Sequence, residues 1–257
     1  VPVLITDKGA LSAETAATIA YVGASHVIIA GGEAGVPAEV AASLKALPGI
    51  TDVKRVAGDT AVDTAIKANA EAASAGNVSD TAILATSAYF ADALSVAPYA
   101  YAKGAPIYLA SADGSMTPET AAALANYKNI KIVGGTASVS KDTEAALKAT
   151  ASVERWAGDD AYQTSADIAS KAVASGVLSF GKTSVATGKS YYDALCASAA
   201  AGSKKSAVLL VDEGEAASYG ITNVITTNKA DIKAVDFLGG NASVTPATKS
   251  AIQAILG

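Results

Sequence analysis

The stretch IVGGTASVSKDTEAAL, residues 132–147, decides the fold. Two apolar residues lead into a glycine pair, and a serine followed by acidic residues then opens a run that suits a helix. A serine at this place caps the free N–H groups of a helix start, and acidic residues in the first turn complement the helix dipole. The stretch therefore predicts a strand, a Gly-Gly turn and a helix.

The same pattern occurs twice more, in VIIAGGEAGVPAEVAASL (27–44) and FLGGNASVTPATKSAI (237–252). The three glycine pairs lie just over 100 residues apart: Gly31-Gly32, Gly134-Gly135 and Gly239-Gly240. Self-similarity at a fixed period indicates one structural unit repeated along the chain.

Other landmarks keep the same spacing. KRVAGDTAVDTAIKANA (54–70) matches ERWAGDDAYQTSADIAS (154–170). An Asp-Ala-Leu motif follows the next apolar run in each of these two copies. The matched residues are Arg55 and Arg155, Gly58 and Gly158, and Asp92 and Asp193.

Each full unit is interpreted as an RxxG segment opening a helix, a strand, an Asp-Ala-Leu helix, a strand, a helix, a strand ending in Gly-Gly, and a last helix. Short apolar runs that alternate with helices of ten or more residues are typical of parallel α/β sheets with buried strands. The predicted modules are 1–54, 55–154 and 155–257. The first contains only the second half of the pattern, two strands and two helices, with one strand at Pro2-Val3-Leu4-Ile5. We expect its missing half to lie upstream or to come from another chain.

Composition excludes several classes of function. The net charge of −5 argues against nucleic acid, whose binding depends on clustered Lys and Arg. No apolar run approaches the length of a membrane span. The single cysteine excludes an internal disulfide but does not decide the compartment.

The chain also lacks the usual marks of a cofactor site or an active site. No glycine pair belongs to a dinucleotide or P-loop fingerprint, so tight turns are favoured over phosphate binding. One His and one Cys cannot build an ordinary zinc site, and no GxSxG elbow accompanies His26. We therefore predict no metal, no cofactor and no catalytic residue.

The ordered set RVAG…ILAT…FADALS…IVGG-x-x-x-VS resembles the cell wall-binding repeat type 2 family of Gram-positive surface proteins. The resemblance implies tandem Rossmann-like modules about a pseudo-threefold axis, here with the first module incomplete. It also implies a secreted, non-catalytic region that attaches non-covalently to anionic, teichoic-acid-like wall glycopolymers. A separate effector domain usually supplies the activity. Two departures from the family pattern stand out. A second basic residue is common where this chain has Ala61 and Ala161, and the family's Pro-Ile-Leu-Leu-type strand is only partly kept.

Three groups of residues are candidate polymer contacts. Arg55 and Arg155 are the only arginines, and each either binds a phosphate or carboxylate of the polymer or forms an interface ion pair. Loop lysines are either simply solvated or form a basic rim beside the groove. A Pro-Ile-type strand at a module junction completes the set. The lysines are Lys103, Lys204 and Lys205, and the strand is Pro106, Ile107, Tyr108 and Leu109.

The remaining repeated residues are predicted to be structural. Asp92 and Asp193 are interpreted as helix-start acids and as possible partners of the arginines, and the glycines as turn residues. Two alternative functions stay open at this point. One is a surface-layer protein whose arrays drive self-assembly, and the other is a Rossmann-like enzyme acting on a small molecule.

Overall fold

The computed structural model describes residues 2–6, 9–76, 79–215 and 218–257. These residues divide into two compact units, one formed by Leu4–Gly76 and the other by the rest of the chain. Helices and parallel strands alternate in both units, which confirms the predicted α/β fold class. The module boundaries at 54/55 and 154/155 stay a prediction.

The first unit is a two-stranded parallel sheet with helices packed on it. Its apolar core contains Ile19, Ile29, Val40 and Leu44, which are all buried. Its elements are α1 (Ala13–Tyr21), β1 (His26–Ala30), α2 (Ala38–Lys45), β2 (Asp52–Val56) and α3 (Ala61–Ser74).

The second unit contains two parallel sheets. The four-stranded sheet has the order β4-β3-β5-β6 and the three-stranded sheet the order β8-β7-β9. Its elements are β3 (Thr81–Thr86), α4 (Ala91–Lys103), β4 (Ile107–Ala110), α5 (Pro118–Leu124), β5 (Asn129–Val133), α6 (Lys141–Lys148), β6 (Ser152–Trp156), α7 (Ala161–Ala174), β7 (Ser179–Ala186), α8 (Tyr192–Ser203), β8 (Ser206–Leu210), a π-helical segment (Gly220–Ile225) that continues into α9 (Thr226–Asn228), β9 (Ala234–Phe237) and α10 (Pro246–Leu256).

The central strands are buried on both faces, as the apolar runs predicted. All six residues of β3 and all five of β8 are buried. One core cluster extends from β3 through α4 and α7 to β8 and α10, so both sheets of this unit share their hydrophobic interior.

The predicted helix caps are confirmed. Ser12, Thr117, Ser140 and Thr245 each accept a hydrogen bond from the backbone N–H three residues later. Such caps satisfy N–H groups that the first helical turn leaves free. They fix where each helix leaves its turn.

The strands differ from the prediction in two places. Residues 2–5 do not form a strand, because β4 and β8, their counterparts, each pair with a preceding strand that the first copy does not contain. The RxxG segments do lead into helices α3 and α7, as predicted, but their arginines lie in strands β2 and β6, which were not predicted. These strands alternate polar and apolar residues, the pattern of an edge strand rather than of a buried one.

Candidate functional site

Arg155 is bound by the Gly-Gly turn of the strand beside it. Its Nη1 donates to the carbonyl oxygens of Gly134 at 2.7 Å and Gly135 at 3.0 Å, and its Nη2 to that of Val139 at 2.9 Å. Nε and Nη2 also reach the Glu144 carboxylate, at 2.9 and 2.7 Å. The planar guanidinium therefore holds strand, turn and α6 together.

Arg55 repeats the arrangement in the first unit. Its Nη1 donates to the Gly31 carbonyl and its Nη2 to the Val36 carbonyl, both at 2.8 Å. Ala41 takes the place that Glu144 has in the other copy, so backbone oxygens alone hold this arginine. Arg155 thus forms an ion pair, whereas Arg55 forms none with any described residue and is held by carbonyl oxygens. Contact of either arginine with a polymer stays a prediction.

Asp92 and Asp193 pack against the same kind of turn from the other side. A Cβ added to Gly134 would lie 2.2 Å from Asp92 Oδ2, and one added to Gly239 would lie 2.4 Å from Asp193 Oδ2. Ser138 Oγ donates to Asp92 at 3.2 Å. Within the described parts of the chain, no ion pair joins either aspartate to an arginine. Both acids lie in the first turn of a helix, as predicted.

Burial raises the pKa of the Asp92 carboxyl, and the hydrogen bond from Ser138 only partly offsets this. The folded protein therefore holds this proton more tightly than the unfolded chain does. Stability from this group is present below about pH 4 and is lost as the pH rises through the folded-state pKa.

We expect Asp92→Asn to remove that loss. Between pH 4 and pH 7 the free energy of unfolding of the wild-type protein should fall relative to that of the variant, because only the wild-type side chain must ionise in a buried place. Urea unfolding at several pH values measures the difference. Curves that stay parallel over this range would show that Asp92 ionises without cost.

The lysines of the predicted site meet at one end of a helix pair. Near the starts of α4 and α8 the rings of Phe90 and Tyr191 meet edge to face, with 5.7 Å between centroids. Near their ends a Cβ on Gly202 would lie 2.6 Å from the Tyr101 Cβ. The two helices therefore run side by side in the same direction, and the lysines at their carboxyl ends are neighbours. We call this group the lysine end; it comprises Lys103, Lys204 and Lys205.

All three side chains of the lysine end are exposed. None of them forms an ion pair with any described residue. Cations at helix C-termini are favoured by the helix dipole, so their presence there costs the fold little. Their charge remains available to an anion from outside.

Lys205 has an unusual backbone. Its φ of +53° is the only positive value at a non-glycine position in the described chain. The matching residue of the second copy is Gly104, with φ +68°. The left-handed region costs a side chain about 1 kcal/mol, and such strain tends to occur at functional positions.

The Pro-Ile-type strand is mostly interior. Tyr108 is buried, and its hydroxyl lies 3.3 Å from that of Tyr127; burial raises the pKa of Tyr108. Ile107 and Leu109 pack against the core, and Pro106 precedes β4. β4 and β6 are opposite edges of one sheet, about 14 Å apart at the usual strand spacing. The structure therefore does not bring Arg155 together with this strand.

A buried network in the third copy was not predicted. Asp212 accepts hydrogen bonds from the Tyr162 hydroxyl at 2.7 Å, the Thr187 hydroxyl at 2.8 Å and the Gly188 N–H at 2.9 Å. Ala85 pairs with Leu109 as its counterpart Ala186 pairs with Leu210, so the equivalent position of the second copy is Ser111. The signal available in the sequence was that the third copy has an acidic residue at this position where the second copy has a serine. Every acceptor contact here is internal, so the network joins the ends of β7 and β8 to α7.

Comparison with known proteins decides the family. A family model described as cell wall binding domain 2 (CWB2) matches residues 55–144 and 155–249. The chain belongs to the cell wall binding domain 2 family. The resemblance of the RxxG, Asp-Ala-Leu and Gly-Gly landmarks to this family is thereby confirmed.

The curated relatives of this cell wall binding region are larger proteins, and the chain matches only part of each. An amidase enhancer of Bacillus subtilis is 30% identical over 98% of this chain, which spans 33% of that protein. The N-acetylmuramoyl-L-alanine amidase LytC of the same organism is 37% identical over 46% of this chain and is covered over 23% of its length. The chain thus spans about a third or less of the curated relatives it matches.

Solved structures share the fold. Cwp8 from Clostridium difficile superposes with a TM-score of 0.83 at 24% identity, over 99% of this chain and 43% of that one. Cwp6 from the same organism superposes with a TM-score of 0.81 at 22% identity, over 93% of this chain and 37% of that one.

The CWB2 chain shows no metal site in the part that the structure describes, where no group of three or more His, Cys, Asp or Glu side chains is placed to hold an ion. No helix among the same residues is long and apolar enough to cross a membrane. His26 is exposed, and its Nδ1 lies 2.9 Å from the Ser25 hydroxyl.

Proposed function

We propose that this CWB2 region attaches its parent protein to the cell wall by binding an anionic secondary glycopolymer non-covalently through the lysine end. The observation that carries the proposal is the meeting of three exposed, ion-pair-free lysines at one end of the α4/α8 pair. A phosphate or carboxylate on the polymer would take the place of the ion-pair partner that the lysines lack.

The distribution of charge in the second unit supports this edge over the opposite one. Exposed lysines stand before the amino ends of β4, β5, β8 and β9, where Asp80 and Asp231 are the nearby acids. The carboxyl ends of the strands are followed mainly by carboxylates. The lysines are Lys103, Lys128, Lys204, Lys205 and Lys233, and the carboxylates include Asp92, Asp159, Asp160, Asp193, Asp212 and Glu213.

Local charge decides contact even though the whole chain carries −5. At an ionic strength of about 0.15 M, charges act over about 8 Å, so a polymer phosphate at the lysine end is screened from the carboxylates at the other end of the strands. Binding through a few exposed cations should be weak per contact. A repeating polymer and repeated modules would then raise the overall affinity by multivalency.

The proposed region is non-catalytic and works outside the cell, on the wall. The relatives, an amidase and an amidase enhancer, are about three or more times longer than the matched region. In this proposal any activity on the wall resides in sequence beyond these residues, and the repeated modules supply attachment.

A self-assembling surface-layer protein is the alternative that the repeat architecture leaves open. Sedimentation of the purified chain with and without added wall polymer separates the two. Assembly that proceeds without polymer would favour the alternative, and a chain that stays small until polymer is added would favour attachment.

Removing charge at the lysine end should weaken wall binding without affecting the fold. The double variant Lys103→Gln and Lys204→Gln should bind isolated Bacillus walls roughly tenfold more weakly, since charge-assisted contacts are lost. Adding Lys205→Gly should weaken binding further while relieving the backbone strain. Co-sedimentation with walls measures binding, and urea unfolding confirms folding.

The matched control removes two lysines at the other end of the strands. Lys141→Gln with Lys189→Gln causes the same change in net charge, and both side chains are exposed. Lys189 Nζ lies 3.6 Å from Asp212 Oδ1, so urea unfolding of this variant checks that the loss of that ion pair leaves the fold intact. It should leave wall binding close to that of the wild type. Equal losses in both double variants would mean that net charge, and not the lysine end, governs binding.

A further inference from the structure

The first two copies use the outer edge of the Gly-Gly strand in the same way. β1 pairs in parallel with β2, and β5 with β6, residue for residue. The first glycine of each turn then donates its N–H to the last carbonyl of the paired strand: Gly31 to Val56 at 2.8 Å and Gly134 to Trp156 at 2.9 Å. The arginine of the paired strand, β2 or β6, then donates hydrogen bonds to carbonyl oxygens of the same turn.

The third copy has the same turn but a free outer edge. Within the described parts of the chain, β9 pairs with β7 alone. Among described residues, the N–H and carbonyl of Gly239 and the carbonyl of Val244 have no hydrogen-bond partner. In the second copy, the Gly134 N–H donates to the Trp156 carbonyl. The carbonyl oxygens of Gly134 and Val139 there accept from the Arg155 guanidinium. Backbone groups of this kind on an exposed strand readily pair with another strand.

The turn already has the conformation that accepts an arginine. Gly239 has φ +100°, against +97° for Gly134. Asp193 and Ser243 surround it as Asp92 and Ser138 surround Gly134. Binding would therefore need little rearrangement, which favours affinity.

A groove of about 280 Å³ lies beside this edge, between β9 and α10. It is lined by Val235, Phe237, Ile252 and Leu256 among others. In the first copy the equivalent groove is filled from the paired strand, where Val53 packs against the cluster of Val40 and Leu44. Ile252 corresponds to Leu44 in the repeat. The groove thus suits a valine two residues before the arginine.

We propose that the open edge of β9 and the Gly239-Gly240 turn bind an extended polypeptide segment of the RxxG-strand type, supplied from outside residues 1–257. The segment pairs in parallel with β9, places a valine in the groove and donates its guanidinium to the carbonyl oxygens of Gly239, Gly240 and Val244. This interaction is between polypeptides and is independent of the wall polymer.

Lys249 is the one feature that opposes an arginine here. It takes the position that Glu144 has beside Arg155. Its Nζ, however, bonds Asn241 Oδ1 at 2.8 Å and lies 5.8 Å from the Phe237 ring centroid. Arg55 shows that carbonyl oxygens suffice without a carboxylate. The lysine therefore lowers affinity without excluding the segment.

The test uses a synthetic peptide with the sequence of residues 50–60, ITDVKRVAGDT, added to the intact chain. Amide NMR shifts should change at β9 and the Gly239-Gly240 turn. A peptide with Gln in place of Arg55 should bind roughly tenfold more weakly, because the charge-assisted bonds are lost. The protein variant Lys249→Glu should bind the arginine peptide roughly tenfold more tightly and should leave the affinity for the glutamine peptide nearly unchanged.

Three results would overturn the proposal. The first is absence of shift changes at β9, and the second is equal affinity for the two peptides. The third is a concentration-dependent dimer, seen by sedimentation, that occupies β9 and resists the peptide, since the edge would then bind a second copy. None of these results bears on attachment to walls.

Discussion

Replacing Arg155 with methionine should lower the free energy of unfolding by about 3–5 kcal/mol, the cost of breaking a largely buried charge pair from one side. The side chain is 15% exposed. Its loss leaves the carbonyl oxygens of Gly134 and Val139 without a donor, and leaves Glu144 with Lys148 alone. Methionine keeps most of the volume, so lost hydrogen bonds rather than a cavity dominate the effect.

Urea unfolding measures this loss. Trp156, the only tryptophan, is buried in the same strand and reports the unfolding of that sheet by its fluorescence. Circular dichroism of the helices should give the same midpoint. The control is Lys148→Met, which removes the exposed partner of Glu144 and should cost less than about 1 kcal/mol. If the two variants lost similar stability, Arg155 would not stabilise the Gly-Gly turn and α6 as its hydrogen bonds indicate.

Gly134→Ala should be nearly as damaging, at about 3–4 kcal/mol. A φ of +97° strains any residue with a Cβ, which contributes about 1–2 kcal/mol. The added Cβ would also lie 2.2 Å from Asp92 Oδ2 and 2.8 Å from the Ser138 Cβ. Overpacking of this kind contributes about 1–3 kcal/mol more.

Two neighbouring glycines separate strain from collision. Gly135→Ala has neither a positive φ nor any atom within 4 Å of the new Cβ, so a change of at most about 0.5 kcal/mol is expected. Gly31→Ala has φ +108° but open space, so it should show the strain alone. Thermal or urea unfolding of the three variants should rank them Gly134, Gly31, Gly135. A neutral Gly134→Ala would contradict the packing of Asp92 on this turn.

Much of the fold is predictable because its signals are local. A hydroxyl residue before Pro or an acidic residue marks a helix start, and apolar residues before Gly-Gly mark a strand, so these features were placed correctly. Strands β2 and β6 were missed because each is a short segment of alternating polar and apolar residues. Such a segment can be recognised as an edge strand only when the strand that it pairs with is known. The pseudo-threefold arrangement of modules stays a prediction.

The site was predictable in part, for a different reason. The repeat identified the candidate residues, but the pattern around a repeated arginine is the same whether its side chain binds a polymer or a backbone turn. Only the structure shows that backbone carbonyls take its donors. Lys103 and Lys204 were singled out as loop residues, and their meeting depends on the contact between Tyr101 and Gly202, which lie 101 positions apart.

Co-sedimentation of the purified chain with Bacillus walls, before and after their anionic polymers are chemically stripped, tests the account of function most directly. We expect binding to native walls that weakens as salt is raised, because exposed lysines contact polymer charges. Stripped walls should bind little protein. Equal binding to native and stripped walls, insensitive to salt, would contradict recognition of an anionic polymer by the lysine end.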